Sequence, residues 1–120
     1  MKSFFTVGIG GILGAICRYG LSLAIPNSEG FPSTTLLINL LGCFCLAWLF
    51  TTFTKRTPIV LGIGTGFCGA FTTYSTFSLE TLLLVQQNEW LLAVLYVVIS
   101  IAGGLFCAWL GIRLARGRLA

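Results

Sequence analysis

A run of glycines followed by hydroxyl side chains is the stretch of this sequence best suited to chemistry. Four glycines lie between residues 62 and 69, and five hydroxyl-bearing residues follow from Thr72 to Thr76. Glycine weakens a helix, and serine and threonine hydroxyls can satisfy the backbone groups that a break would free. A break would offer N–H groups to an anion at one helix end and carbonyls to a cation at the other. The alternative is an unbroken packing helix whose hydroxyls bond to their own carbonyls.

After such a break, helical spacing sorts the side chains onto different faces. Thr72, Ser75 and Thr76 would share one face, whereas Tyr74 and Phe77 lie three residues apart on another. Aromatic rings have a positive edge, and hydroxyls donate hydrogen bonds. Ring edges and hydroxyl donors together suit a small anion that must shed its water. They suit a cation poorly unless the ring face is presented.

Polar residues interrupt the other apolar stretches at Arg18, at the pair Thr35 and Asn39, and at the pair Tyr96 and Ser100. Each pair is spaced i, i+4 and therefore stacks on one helix face. A polar residue inside a membrane span is a functional candidate by default. Asn39 could instead join two helices, and Arg18 could either extend to the membrane interface or concentrate anions in a vestibule. The residues alone leave these alternatives open.

The composition decides the class of protein that carries these residues. Hydrophobic residues make up 57% of the 120 positions and charged residues 8%, with a mean hydropathy of +0.99. A soluble domain carries about 25% charged residues, so the composition predicts an integral membrane protein. Three acids and no histidine remove most catalytic constellations, so an enzyme is not expected. The five cysteines form no C-x-x-C motif, which makes a zinc site or a disulfide framework improbable.

Four apolar segments supply the elements that must position the candidate residues. They cover about residues 4–25, 34–53, 59–85 and 90–112, with short polar connectors between them. At 1.5 Å per residue each can cross a hydrocarbon layer of about 30 Å. The prediction is a single all-α integral membrane domain of four transmembrane helices, the third broken in mid-membrane. Small residues spaced four apart predict close helix contacts at the pairs Gly10 and Gly14, Gly62 and Gly66, and Gly104 and Ala108.

The placement of charge predicts the topology. Four spans put both termini and the second connector on one face, which then holds six cations: Lys2, Lys55, Arg56, Arg113, Arg116 and Arg118. Glu29 and Glu89 fall on the other face. The positive-inside rule therefore predicts cytoplasmic termini. Cations that flank apolar spans contact lipid headgroups of the bilayer, and no nucleic-acid partner is expected.

Three local signatures make the sequence resemble the CrcB/Fluc family of fluoride ion channels over essentially its whole length. They lie at residues 14–19, 39–42 and 66–78, and the third is highly specific. The resemblance implies a passive, fluoride-selective channel of the prokaryotic plasma (inner) membrane, which lets fluoride leave the cytoplasm and lowers its toxicity. It also implies an antiparallel, dual-topology dimer with two pores along the subunit interface.

The resemblance further assigns roles to single residues. A structural sodium ion, which is not transported, would be held at the dimer centre by the backbone carbonyls of Gly69 and Thr72 from each subunit. Asn39 matches the pore asparagine, Phe77 one of the two ring-edge aromatics, and Arg18 the vestibule arginine. The polar track of the pore is matched by Thr35, Ser75, Thr76, Tyr96 and Ser100. The sequence departs from the family pattern in that Tyr74 replaces the first pore phenylalanine, Ala70 the second glycine at the break, and Gly104 a serine.

The partner of the chain remains open between two possibilities. A homodimer that inserts in both orientations should carry nearly balanced basic residues on its two faces. Here one face carries six cations and the other carries at most one, which favours one orientation of the chain in the membrane. The natural dimer is therefore either an antiparallel homodimer or a heterodimer with an oppositely oriented homologue.

Other functions fit the sequence less well. A proton-coupled exporter resembling the small multidrug-resistance proteins needs a titratable carboxylate in the first helix, and that segment has none. The nearest acid in a span, Glu80, lies near the end of the third. A membrane hydrolase or metalloenzyme lacks a histidine or a carboxylate pair. A structural accessory subunit would not need the hydroxyl cluster.

Overall fold

The computed structural model describes residues 1–26 and 30–119, with side chains through Gly117. Over this part of the chain the regular secondary structure is helical and contains no β-strand. The first helix covers Lys2–Ala24 and the second covers Ser33–Thr52. A third segment is divided into a leading half-helix, residues 58–71, and a trailing half-helix, Ser75–Gln86. The last helix covers Trp90–Leu119.

The leading half-helix changes its winding along its length. It begins with an α-helical turn, Pro58–Leu61, continues as a π-helix over Gly62–Cys68, and ends with an α-helical turn, Gly69–Phe71. Thr57 caps its start, because the Thr57 hydroxyl accepts a hydrogen bond of 3.3 Å from the Val60 N–H. Proline at the first helical position loses no hydrogen bond, since that N–H would have no helical partner.

The first, second and last helices have the character of membrane spans. The stretches Lys2–Ala24, Ser33–Thr52 and Trp90–Gly117 are each long and apolar enough to cross a bilayer. Their outward side chains are large and apolar, and Leu105, for example, is 69% exposed. Such a surface is stable in contact with lipid or with another membrane protein, not with water. The chain is therefore an integral membrane protein of helices.

The first helix packs in parallel along the leading half-helix, backbone against backbone. Thr6 lies beside Gly62 and Gly14 beside Phe67, so both elements run in the same direction. A Cβ atom at Gly10 would collide with the Gly62 carbonyl oxygen. A Cβ atom at Gly66 would collide with the backbone of the first helix in the same way. The small-residue pairs predicted in these two elements are thus confirmed as a close helix contact.

The second and last helices form the other parallel pair. Their contact uses Gly103 and Gly111 of the last helix, and a Cβ atom at Gly111 would lie 2.6 Å from the Phe44 carbonyl oxygen. Gly104 also faces the second helix, where the sulfur of Cys43 would lie 3.3 Å from an added Cβ. The trailing half-helix packs against the start of the last helix. Their contact is an apolar cluster around Tyr96, which is 0% exposed.

These helix directions sort the charges by end. The described side chains of Lys2, Lys55, Arg56, Arg113 and Arg116 belong to the end where the first helix begins and the last helix finishes. Glu89 belongs to the opposite end. Two residues of the predicted pattern, Glu29 and the side chain of Arg118, lie outside the described residues. Arg56 also caps the second helix, because its guanidinium donates to the Phe53 carbonyl at 2.6 Å.

The helix bounds differ from the prediction mainly at the chain's end. Apolarity predicts that the last helix ends at residue 112, but it continues to Leu119. The added turns contain leucine, alanine and arginine, which are strong helix formers even where apolarity falls. The third segment, predicted over 59–85, reaches from Pro58 to Gln86 in two pieces.

Candidate functional site

The helix of the third segment stops at Phe71 and starts again at Ser75. Thr72 is extended, with φ −80° and ψ 163°. The side chain of Asn39, on the second helix, lies against this interruption. Its Nδ2 donates to the Thr73 carbonyl at 2.9 Å, and its Oδ1 accepts from the Thr73 N–H at 2.9 Å. One side-chain amide therefore satisfies both polar groups of an exposed stretch of backbone.

This pairing frees the carbonyl of Gly69. In a continuous α-helix the Thr73 N–H would donate to the Gly69 carbonyl, four residues earlier. Here the Thr73 N–H is committed to Asn39 instead. What remains near the Gly69 oxygen is the Thr72 hydroxyl at 3.4 Å. A Cβ atom added at Gly69 would meet nothing within 4 Å, so this end of the leading half-helix opens to the outside.

A second side chain frees the carbonyl of Thr72. In a continuous helix the Thr76 N–H would donate to it, but the Thr76 N–H donates to the Thr73 hydroxyl at 3.2 Å. Thr73 thus caps the trailing half-helix. The carbonyls of Gly69 and Thr72, which the family resemblance implies as sodium ligands, have both lost their regular donors. Main-chain oxygens are ligands that hard cations prefer, but two of them form only part of a coordination shell.

The described residues offer no alternative metal site of side chains. Among them, no group of three or more Cys, Asp or Glu side chains is arranged to hold an ion.

An open groove of about 530 Å³ lies on one side of the interruption. We call it the amide groove. Its polar lining consists of Asn39, Thr72, Thr73, Tyr74 and Ser100, and Phe77 adds an aromatic ring. Ser100 Oγ is buried and has no hydrogen-bond partner among the described residues. A buried hydroxyl without a partner costs free energy, which a ligand in the groove would recover.

A smaller cleft of about 190 Å³ lies on the other side, and we call it the arginine cleft. Six of the seven residues that line it carry a polar group: Arg18, Tyr19, Ser22, Thr35, Thr73 and Thr76, with Ile38 as the seventh. Arg18 Nε is buried without a hydrogen-bond partner in the part of the chain that is described. A guanidinium with an unused donor beside hydroxyls favours a negative charge in this cleft.

The aromatic residues divide between the surface and the interior. Tyr74 is 81% exposed, and its ring centroid lies 6.0 Å from that of Phe77. Phe77 in turn lies 5.1 Å from the ring of Tyr96. Tyr96, assigned to the polar track, lies in the apolar cluster and lines neither the groove nor the cleft. Its hydroxyl donates to Glu80 Oε1 at 3.3 Å.

Most of the residues predicted from the sequence line two cavities that share Thr73, a residue that was not predicted as part of the site. Asn39, Tyr74, Phe77 and Ser100 meet in the amide groove, while Arg18, Thr35 and Thr76 meet in the arginine cleft. Ser75 is exposed, and its hydroxyl lies 3.4 Å from that of Thr73. Thr73 lines both cavities. An asparagine in the middle of an apolar segment needs both a hydrogen-bond donor and an acceptor, and this need is the sequence signal that points to such a partner. The backbone N–H and C=O of Thr73 meet it.

Comparison with known proteins gives one family and a consistent set of relatives. The model of the family described as CrcB-like protein, Camphor Resistance (CrcB), matches residues 5–112. Fluoride-specific ion channel FluC 1 of Bacillus cereus (strain ATCC 10987 / NRS 248) is 53% identical over 117 residues, covering 92% of this chain and 85% of the relative. Fluoride-specific ion channel FluC 2 of Listeria monocytogenes serotype 4b (strain F2365) is 48% identical over 112 residues, covering 90% and 86%.

Proposed function

Because the chain belongs to the CrcB family, whose relatives above are named fluoride-specific ion channels, we propose that it is a fluoride-selective passive channel that exports fluoride from the cytoplasm. Such export lowers the toxicity of fluoride to the cell. The observation that carries the proposal is the pairing of the Asn39 amide with the Thr73 backbone, beside two cavities that polar side chains help to line. A channel of this family is not an enzyme, and the protein transforms no substrate.

The orientation of the Asn39 amide suits an anion. Its oxygen would repel an anion, but that oxygen is covered by the Thr73 N–H. One of its two N–H groups is used by the Thr73 carbonyl, and the second is free to point into the amide groove. The backbone at the interruption therefore fixes the amide with its positive side toward the groove.

The remaining groups replace the water shell of fluoride in steps. Arg18 raises the local concentration of anions in the arginine cleft, where the Thr35 and Thr76 hydroxyls donate to the ion. Beyond the interruption, the Asn39 amide, the Ser100 hydroxyl and the Phe77 ring edge take over. Neutral donors of this kind bind strongly enough to admit the ion and weakly enough to release it. Tyr74 and Ser75 belong to the set expected from the family pattern; Tyr96 belongs to that set too, but it lies in the apolar cluster and its hydroxyl donates to Glu80.

Both cavities are open in the single chain, which supports an antiparallel dimer with two pores at the subunit interface. The exposed ring of Tyr74 and the open space beside Gly69 would be covered by the second copy. The Tyr74 ring, which is 81% exposed beside the amide groove, would line a pore that two chains form together. The concentration of cations at one end favours one orientation for this chain. The second subunit is thus a copy of this chain or an oppositely oriented homologue.

A structural sodium ion at the dimer centre belongs to the same proposal. The freed carbonyls of Gly69 and Thr72 from two chains would supply its ligands, and the loss of their helical donors supports this role. When bound, the ion joins the two chains through ion–carbonyl contacts; it is not transported.

The third segment completes the membrane topology. We propose that the leading and trailing half-helices cross the bilayer as one interrupted span, which gives four spans in all. The interruption then lies at mid-membrane, where irregular backbone is tolerated only if it is buried or lines a wet cavity. With the basic end inside, both termini lie in the cytoplasm of a prokaryotic cell, and the protein sits in its plasma membrane.

Efflux of fluoride from liposomes tests the function directly. Purified protein is reconstituted with internal potassium fluoride, valinomycin balances the charge, and a fluoride electrode records the release. We expect rapid release of fluoride, no comparable release of chloride, and no dependence on a pH gradient. Release of chloride at a similar rate, or release of fluoride only with an opposing proton gradient, would contradict the proposal. The second result would instead support a proton-coupled exporter.

A further inference from the structure

Thr73 is the described residue at which the two cavities meet. It lines the amide groove together with Asn39 and the arginine cleft together with Arg18. Its peptide group holds the Asn39 amide, and its hydroxyl holds the first turn of the trailing half-helix. A direct path between the two cavities would therefore run beside this residue.

The hydrogen bonds of the Thr73 hydroxyl have a definite direction. Its oxygen accepts from the Thr76 N–H at 3.2 Å, and its single proton is donated to Thr76 Oγ1 at 3.1 Å. Because that proton is used, the contact of 3.4 Å with Ser75 Oγ requires Ser75 to be the donor. Thr76 Oγ1 is then an acceptor toward Thr73, so its own proton must point elsewhere. Thr76 lines the arginine cleft, so this proton can point into the cleft.

We propose that Thr73 is a positioning residue that links the two halves of the conduction path; this inference rests on the proposed channel function. Its hydroxyl turns the Thr76 proton toward an anion in the arginine cleft, and its peptide group turns the free Asn39 N–H toward an anion in the amide groove. The ion thus finds oriented donors on both sides of one residue. A hydroxyl already fixed in direction loses less entropy when it binds the ion.

Two substitutions at position 73 test the role of the Thr73 hydroxyl separately from that of its backbone. Thr73→Val keeps the shape of the side chain and the backbone N–H and C=O, so the pairing with Asn39 can persist. It removes the Thr73 hydroxyl, whose hydrogen bond to Thr76 Oγ1 orients the Thr76 proton. Thr73→Ser restores a hydroxyl at the same position. Thr81→Val is the matched control, because the Thr81 hydroxyl lies on the same half-helix and bonds only to its own turn, at the Phe77 carbonyl, 2.8 Å away.

The experiment is fluoride release from liposomes that hold on average less than one channel each. The fraction of liposomes that empty counts the folded channels, and the rate constant of release reports the flux of each channel. We expect Thr73→Val to lower the rate constant roughly tenfold, the loss that one hydrogen bond to an ion implies. Thr73→Ser should recover most of the rate, and Thr81→Val should keep it.

The outcomes distinguish the inference from the function it rests on. If the unmodified protein releases no fluoride, the proposed function fails. If it does, and Thr73→Val reduces only the fraction of emptied liposomes, Thr73 is merely structural and the inference is wrong. Equal rate constants for Thr73→Val and Thr81→Val would overturn it as well. If Thr73→Val fails to fold, Thr73→Ala takes its place because it also removes the hydroxyl: a lower rate constant than that of Thr73→Ser supports the inference, and an equal one overturns it.

Discussion

The side-chain amide of Asn39 is paired in both directions with the backbone of Thr73, 34 residues away: Nδ2 donates to the Thr73 C=O and Oδ1 accepts from the Thr73 N–H, each at 2.9 Å. An amide and a peptide group offer the same donor and acceptor, so the side chain substitutes for the backbone partner that a helix would have provided. The interruption is therefore held by specific hydrogen bonds and does not depend on glycine flexibility alone. This relationship connects the amide that we propose as an anion ligand with the freed carbonyls of Gly69 and Thr72.

Replacing Asn39 by aspartate should nearly abolish fluoride release. Aspartate can still accept from the Thr73 N–H, but it cannot donate to the Thr73 carbonyl or to an anion, and its charge repels fluoride. We expect the rate constant of release from liposomes to fall roughly a hundredfold or more. Asn88→Asp makes the same chemical change at an exposed turn and should leave the rate unchanged. A normal rate for Asn39→Asp would remove this residue from the pore.

Replacing Ser100 by alanine should separate flux from stability. Ser100 Oγ is buried without a described partner, so its removal costs no protein hydrogen bond and relieves an unpaired polar atom. The free energy of unfolding in detergent should stay the same or rise by about 1 kcal/mol, while the rate of fluoride release should fall about tenfold. Ser3→Ala, at a position that lines neither cavity, should leave flux unaltered. A loss of stability together with unchanged flux would mean that Ser100 has only a packing role.

Replacing Gly10 by alanine should loosen the contact between the first helix and the leading half-helix. The new methyl group would collide with the Gly62 carbonyl oxygen, which the backbone cannot move without shifting a helix. We expect a loss of about 1–3 kcal/mol in the free energy of unfolding, measured by thermal melting in detergent. Gly8 is the matched control, since an added Cβ there meets nothing within 4 Å. Gly8→Ala should be neutral, or stabilising by up to about 1 kcal/mol, through helix propensity. Equal melting temperatures for the two variants would contradict the packing described here.

Removing sodium should weaken the dimer. If the carbonyls of Gly69 and Thr72 hold the ion only when two chains meet, sodium binds the dimer and not the separated subunits. At a concentration about a hundred times its Kd, such an ion stabilises the bound form by about 2.7 kcal/mol. Replacement by N-methylglucamine at equal ionic strength should therefore raise the dissociation constant of the dimer about a hundredfold, measured by single-molecule subunit counting in liposomes. A dimer equally stable in both salts would exclude the proposed ion.

The elements of this protein were predictable from its sequence because apolarity and length suffice to locate helices of this kind. The contact of the first helix with the leading half-helix was also predictable, since glycines at Gly10 and Gly66 leave room for backbone approach. The cluster of hydroxyls near Thr72 pointed to the place where the helix of the third segment stops.

Partners across long stretches of sequence were not predictable in the same way. Nothing local to Thr73 distinguishes it from Thr72, and its importance follows from Asn39, which belongs to another helix. The burial of Tyr96 depends likewise on Phe31 and Phe77, whose rings lie against it at 5.6 Å and 5.1 Å. The end of the last helix was missed because apolarity ends at Arg113, whereas helix propensity continues beyond it.

The parallel pairing of helices has a consequence for biosynthesis. The first helix contacts the leading half-helix, so Gly10 is synthesised and inserted before its contact partner, Gly62, exists. In the same way, the second helix is made before its partner, the last helix, which begins at Trp90. Neither pair can close early, and each helix must first be stable alone in lipid, as in a two-stage assembly. The Asn39 amide consequently enters the membrane before its backbone partner exists, and a ribosome stalled between the two would leave that amide unpaired.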